Sequence, residues 1–130
     1  MASAVRQLKP DTRLFAAEVE TAAPLAASLQ AGSPQTVEYI PTFVDGIGGK
    51  SILPEMWPMV SRLLNGSLVM SIDAVGQALK LVLERNRVLA EGAGAASVAA
   101  ALSGKAGKGK IVCVVSGGNI DMSKVLRLYE

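Results

Sequence analysis

Two short stretches carry groups of the kind that bind ligands. In Ile111–Ile120, IVCVVSGGNI, five apolar residues run directly into Ser116, Gly117, Gly118 and Asn119. That places a hydroxyl, a side-chain amide and two glycines just past a predicted strand. Ligands of open α/β sheets collect there, outside the carboxyl ends of the strands. In Glu91–Ala96, EGAGAA, a carboxylate precedes Gly92 and Gly94 at the start of a predicted helix. Free backbone N–H groups at such an end favour anions, and Glu91 can itself be the cap. A third pair, Glu18 and Glu20, follows apolar Leu14–Ala17. Each stretch also has an ordinary structural alternative. SGG makes tight turns because glycine accepts positive φ, EGAG lets a helix pack closely, and two glutamates can simply end a strand in solvent.

Whole classes of chemistry are excluded. The chain has no histidine, which removes Ser–His and Cys–His pairs and histidine metal sites together. No nucleophile elbow, phosphate-loop lysine pattern or zinc spacing occurs. Cys113 is the only cysteine, so no internal disulfide forms, and its apolar neighbours predict a buried, inert thiol.

The elements that must position these residues follow from periodicity. Residues 2–8 read as a helix stopped by Pro10, and residues 12–20 contain a strand. Pro24 suits the first turn of a helix over 24–32, with Gly32 as its cap. Residues 36–40 read as a short edge strand, and 41–54, PTFVDGIGGKSILP, as a glycine-rich loop. A helix over 54–66 leads to a strand at 67–71. Ser71 caps the clearest helix, 72–90, with Val75, Ala78, Leu79, Val82, Leu83 and Leu89 on one face. Residues 92–104 read as a small-residue helix, Ile111–Val115 as a strand covered on both faces, and 123–130 as a last helix. The alternation predicts a single α/β unit over residues 1–130: three layers, a mostly parallel sheet with helices on both faces.

At 130 residues the chain is of ordinary single-domain size. Half its residues are hydrophobic and 18% are charged, against roughly 25% in average domains. The composition is therefore rich in interior-forming residues. No apolar run reaches the roughly 18 residues that span a bilayer. The N-terminus has no signal-peptide pattern, which points to the cytoplasm. Net charge is +2. The lysines of GKAGKGK make a short loop cluster rather than a basic face, so neither nucleic acid nor membrane is an expected partner.

Taken in order, LFAAEVETAAP, FVDGIGGK, LERNRVLAEGAGAA and IVCVVSGGNID resemble the serine/threonine ammonia-lyases, the threonine dehydratase and serine racemase family of fold type II pyridoxal-phosphate enzymes. The resemblance covers nearly the whole chain and falls on the C-terminal half of the family's catalytic domain. It implies pyridoxal phosphate as cofactor and a small amino acid as substrate, converted to a 2-oxo acid and ammonia. By the same resemblance, Ser116 would bond the cofactor's pyridine nitrogen, with a neutral hydroxyl suiting β-elimination. Gly117, Gly118 and Asn119 would shape the turn against the ring. Glu91 would stand near the ring edge, with Gly92 giving backbone access, and Asp45 and Gly46 would flank the cofactor on the substrate side. Some family members bind a divalent cation after the first strand. Glu18 and the Ala22 carbonyl match two of its ligands, while Pro24 replaces the third, acidic one.

No catalytic residue is assigned within the chain. The family's Schiff-base lysine segment, substrate-carboxylate loop and phosphate cradle have no counterpart, and no regulatory domain follows. The expectation is a fragment that is inactive alone and associates with itself, or with a partner, through surface left by a missing half. The alternative is a non-catalytic ligand-binding or partner-pairing α/β module.

Overall fold

The computed structural model describes residues 1–130. Helix α1 spans Ala2–Leu8 and ends ahead of Pro10. Arg6, in its last turn, donates from Nε and Nη2 to the carbonyl of Leu63 at 3.0 and 2.8 Å. That carbonyl belongs to the last turn of α3, Trp57–Leu63, where carbonyls lack helical partners. Arg6 Nη2 also donates to Asn65 Oδ1 at 2.6 Å, and the Leu14 N–H donates to the same oxygen at 2.8 Å. The Asn65 N–H donates back to the Leu14 carbonyl at 2.7 Å. One asparagine thus sets the start of both strands.

Strand β1, Phe15–Val19, pairs in parallel with β2, Gly66–Met70, from Phe15 opposite Gly66 to Val19 opposite Met70. Side chains alternate between the two faces. Val19 and Met70 point into a core with Ala95, Ala96, Ala99 and Ala100 of α5, Gly92–Leu102, and with Val75, Ala78 and Leu79 of α4, Ile72–Leu81. Glu18 and Ser67 point the other way, toward α2, Pro24–Ala31. Helices therefore cover both faces of a small parallel sheet, and the α/β three-layer expectation holds.

Several boundaries match local chemistry. Pro24 opens α2 and Gly32 closes it in the left-handed region at φ 71°. Ser71 Oγ accepts from the Ala74 N–H at 3.2 Å, capping α4. The final helix, α6, spans Met122–Arg127 and seats Val125 in the core.

Three sequence expectations need correction. The helix read over 72–90 stops being α-helical at Leu81, continues as a π-turn over Val82–Asn86, and ends at Arg87 with φ 58°. Val82 and Leu83 still pack on the core, but Glu84, Arg85, Asn86 and Arg87 after them offer it nothing apolar, and Leu89 leaves the stripe and is exposed. The edge strand read at 36–40 is only one bridge, Thr36 to Ser51. Most consequential, Ile111–Val115 is not a covered strand. It passes without helix, turn or bend, none of its N–H groups donates to a backbone carbonyl, and Val112 is 90% exposed. Five apolar residues signal a strand covered on both faces, whereas α5 supports the segment from one side only. Cys113 is accordingly half-buried rather than enclosed.

Candidate functional site

The turn after Val115 is held by α5. Ser97, one turn into that helix, donates from Oγ to the Val114 carbonyl at 2.9 Å. The Cys113 thiol donates to the Ser97 carbonyl at 3.5 Å. The Glu91 N–H donates to the Gly117 carbonyl at 2.9 Å. Three contacts along one helix end thus fix Cys113–Gly117 from one side.

Glycines permit this closeness. A Cβ on Gly94 would sit 2.9 Å from the Gly117 carbonyl oxygen and 3.2 Å from Val115 Cγ1. A Cβ on Gly118 would collide with the Leu89 carbonyl, and one on Gly92 would lie 2.9 Å from the Val44 backbone. The left-handed break at Arg87 matters here, because it redirects the chain so that Leu89 and Glu91 reach this turn.

Glu91 occupies the N-cap position of α5 but makes no side-chain cap. Its carboxylate instead lies between two glycines. A Cβ on Gly46 would be 3.3 Å from Glu91 Oε1, and one on Gly117 would be 2.5 Å from it. Gly46 and Gly117 thereby frame Glu91, and the loop 43–49 joins the same wall. Val44 anchors that loop in the core. Asp45 turns outward, where Lys124 Nζ on α6 donates to its Oδ2 at 2.7 Å. That hydrogen bond holds the Asp45 carboxyl below the usual carboxylate range and raises the Lys124 ammonium above its ordinary value. Burial pushes the Cys113 thiol up.

The structure therefore gathers Gly46, Glu91, Gly92, Gly117 and Gly118, with Ser116 and Asn119 exposed at the rim. A flat group could approach this wall because glycine leaves backbone bare there. Ser116 presents a hydroxyl that can donate or accept. These features fit an aromatic ring bearing a nitrogen acceptor. When bound, pyridoxal phosphate supplies an electron sink for carbanion chemistry.

Glu18 and Ala22 sit at the carboxyl end of β1, but Glu18 serves the fold. Its Oε1 and Oε2 accept from the Leu25 and Ala26 N–H groups, each at 2.8 Å, and Oε2 also accepts from Ser67 Oγ at 2.6 Å. Pro24 is the first residue of α2 and is buried. No group of three histidine, cysteine, aspartate or glutamate side chains forms a metal cage. One carboxylate already accepting three hydrogen bonds is a poor match for an oxygen-rich cation site. Glu20 is a second cap, accepting from the Ile72 N–H of α4 at 2.9 Å. Spacing alone does not give these roles: Glu18 meets the Leu25 N–H seven residues on, but Glu20 meets that of Ile72, 52 residues on, and both pairings form only when strand and helix pack.

The sequence profile described as "Pyridoxal-phosphate dependent enzyme" matches residues 1–117. An L-threonine ammonia-lyase of Thermotoga maritima is 32% identical over 128 residues, covering 98% of this chain and 32% of that protein. A catabolic L-threonine dehydratase of Escherichia coli strain K12 is 31% identical, covering 98% of this chain and 40% of that protein. The chain thus spans about a third to two-fifths of these curated relatives. Among solved structures, a threonine deaminase of T.th. superposes with a TM-score of 0.86 at 31% identity, over 92% of this chain and 44% of that one. Maize serine racemase gives 0.86 at 32% identity, over 97% and 42%.

Proposed function

The chain belongs to the pyridoxal-phosphate dependent enzymes, and from that premise we propose that it forms the ring-side wall of the cofactor site of a threonine or serine ammonia-lyase. The observation that carries this is the Glu91 N–H bond to the Gly117 carbonyl at 2.9 Å, which makes EGAGAA and SGGNID one surface. Ser116 offers its hydroxyl to the pyridine nitrogen without forcing a proton onto it. Glu91, held between Gly46 and Gly117, fixes the rim beside the ring. The substrate class is a small hydroxy amino acid, as the names of the curated relatives suggest.

The 130 residues are proposed to be inactive alone, because the Schiff-base lysine segment of the resembled family has no counterpart among them; Lys50 shares the 41–54 loop with Gly46 but not that segment's sequence context. Lys124, beside the Asp45 loop, is held as an ammonium in an ion pair, and a protonated amine is no nucleophile. Lys105, Lys108 and Lys110 precede the 111–115 segment, at the opposite end from Ser116.

A chimera tests the wall directly. Residues 1–130 replace the matching stretch of the Thermotoga enzyme, and 2-oxo acid formation from threonine and serine is measured. An active chimera, with activity reduced by Ser116→Ala, is expected. A chimera that folds and binds the cofactor but releases no 2-oxo acid from either substrate overturns the proposal. For the isolated chain, borohydride reduction with pyridoxal phosphate should leave no stoichiometric pyridoxyl-lysine at any one position.

A further inference from the structure

Asp45–Gly46 is the chain's single Asp–Gly step, and Asn65–Gly66 its single Asn–Gly step. Glycine leaves the amide nitrogen after such a residue unshielded, so that nitrogen can attack the side-chain carbonyl carbon just before it. The product is a succinimide ring. The two steps lie in opposite surroundings. Asn65–Gly66 is locked: Asn65 Oδ1 accepts from Arg6 and from the Leu14 N–H, and Gly66 is paired opposite Phe15 in the sheet. Asp45–Gly46 is open. Both residues are exposed, outside any helix or strand, and the Gly46 N–H donates to no backbone carbonyl. Val44 beside them is buried, so the loop is pinned there and presents the next step to water. One other side chain grips the Asp45 carboxylate: Lys124 of α6, with Nζ 2.7 Å from Oδ2.

We infer that Asp45–Gly46 is a site of covalent modification, where aspartate converts to isoaspartate through a succinimide, and that Lys124 restrains the conversion. The Gly46 nitrogen bonds to Asp45 Cγ. Its proton and the carboxyl hydroxyl leave together as water. A second water then opens the ring. Opening at the main-chain carbonyl leaves isoaspartate, with the backbone running through Cβ and Cγ, and opening at the side-chain carbonyl restores aspartate. Nothing is oxidised or reduced, and the mass is unchanged.

The neutral carboxyl is the reactive form, because an anionic carboxylate resists a nucleophile and has no good leaving group. Lys124 is the only cation acting on Asp45, and it favours the anion. Asp121 and Tyr39 also lie near Lys124, and Glu91 Oε1 lies behind Gly46, but none of these carries positive charge. Isoaspartate lengthens the main chain ahead of Gly46 by one carbon and moves the carboxylate off Lys124. A Cβ on Gly46 would already stand 3.0 Å from Ala93 Cβ, so the longer chain presses Gly46 against the start of α5 or lifts it away. The inference does not depend on the cofactor proposal.

The test incubates the full chain at body temperature and about pH 6, near enough to the carboxylate range for a neutral fraction to exist. Isoaspartate is counted by methyl transfer from S-adenosylmethionine with an isoaspartyl methyltransferase and located by peptide mapping. It is expected at Asp45 ahead of Asp11, Asp73 and Asp121. Conversion at Asn65 changes the mass, which separates it from Asp45. Lys124→Met should raise the Asp45 rate about two- to fivefold, the range set by an exposed ion pair. Lys124→Arg keeps the cation and should stay near the parent, which separates lost charge from lost fold. Asp45→Glu should abolish the signal, since its ring is larger and closes far more slowly. Isoaspartate appearing first at Asn65 or at another aspartate overturns the site, as does none at Asp45 while a capped Phe-Val-Asp-Gly-Ile peptide is largely converted. A parental rate in Lys124→Met overturns the role of Lys124.

Discussion

Replacing Glu18 separates a fold role from a cation role at the end of β1. In Glu18→Ala, the Leu25 and Ala26 N–H groups and the Ser67 hydroxyl each lose their acceptor. Hydrogen bonds to a charged group contribute about 1.5–3 kcal/mol each in isolation, but these three share one carboxylate and are not additive. Glu18 is only half-buried, so water reaches part of what is exposed. A lost helix cap costs about 0.5–2 kcal/mol, and the orphaned Ser67 hydroxyl adds about 1 kcal/mol. The expected destabilisation is therefore about 1.5–3 kcal/mol for Glu18→Ala. In Glu18→Gln one oxygen still accepts, while the amide faces a donor, giving about 1–2 kcal/mol. Urea unfolding measures both, and amide exchange at Leu25 and Ala26 should accelerate in step. A loss below about 0.5 kcal/mol for Glu18→Ala, with unchanged exchange at those amides, would refute the cap. The cation role predicts something different. If millimolar Mg²⁺ or Ca²⁺ raises the stability of the parent chain but not of Glu18→Gln, the carboxylate is shared with an ion.

Gly94→Ala adds a Cβ 2.9 Å from the Gly117 oxygen. Overpacking of about 1–3 kcal/mol against a helix gain of about 1 kcal/mol leaves it about 0–2 kcal/mol less stable by urea unfolding. Gly49→Ala, whose Cβ meets nothing closer than 3.9 Å, is the control and should be neutral or more stable. For the Asp45–Lys124 pair, the lowered carboxyl makes the tie available above Asp45's unfolded value, and it disappears as pH falls through the folded one. The raised ammonium makes the tie available below Lys124's unfolded value, and it disappears as pH rises through the folded one. The difference in melting temperature between the parent and Lys124→Met should therefore be present from about pH 4 to 10 and close outside that window.

What the sequence made legible was local. Pro24, Gly32 and Ser71 mark helix ends through chemistry confined to one turn, and each marks its end in the structure. The gathering of Gly46, Glu91, Gly117 and Gly118 was legible only through the family resemblance, since no local rule says which glycines meet. The roles of Glu18 and Glu20 were hidden for a related reason. A carboxylate on a strand caps a helix only after the strand and helix have packed, so spacing alone leaves it as a strand end. At Arg87 the difficulty was competition. The periodic stripe argues for continuing the helix to Ala90, whereas the polar run Glu84–Arg87 gives the core nothing to hold, and the chain turns.

Ile111–Val115 shows how a segment's composition and its surroundings can disagree. Five consecutive apolar residues encode burial on both faces, yet the chain itself covers only the side against α5, through Ser97, Gly94 and Glu91. That one-sided support is enough to set Ser116 at the rim of the candidate ring wall, because the helix end and the turn are joined directly. It leaves the N–H groups of Ile111–Val115 without a backbone acceptor.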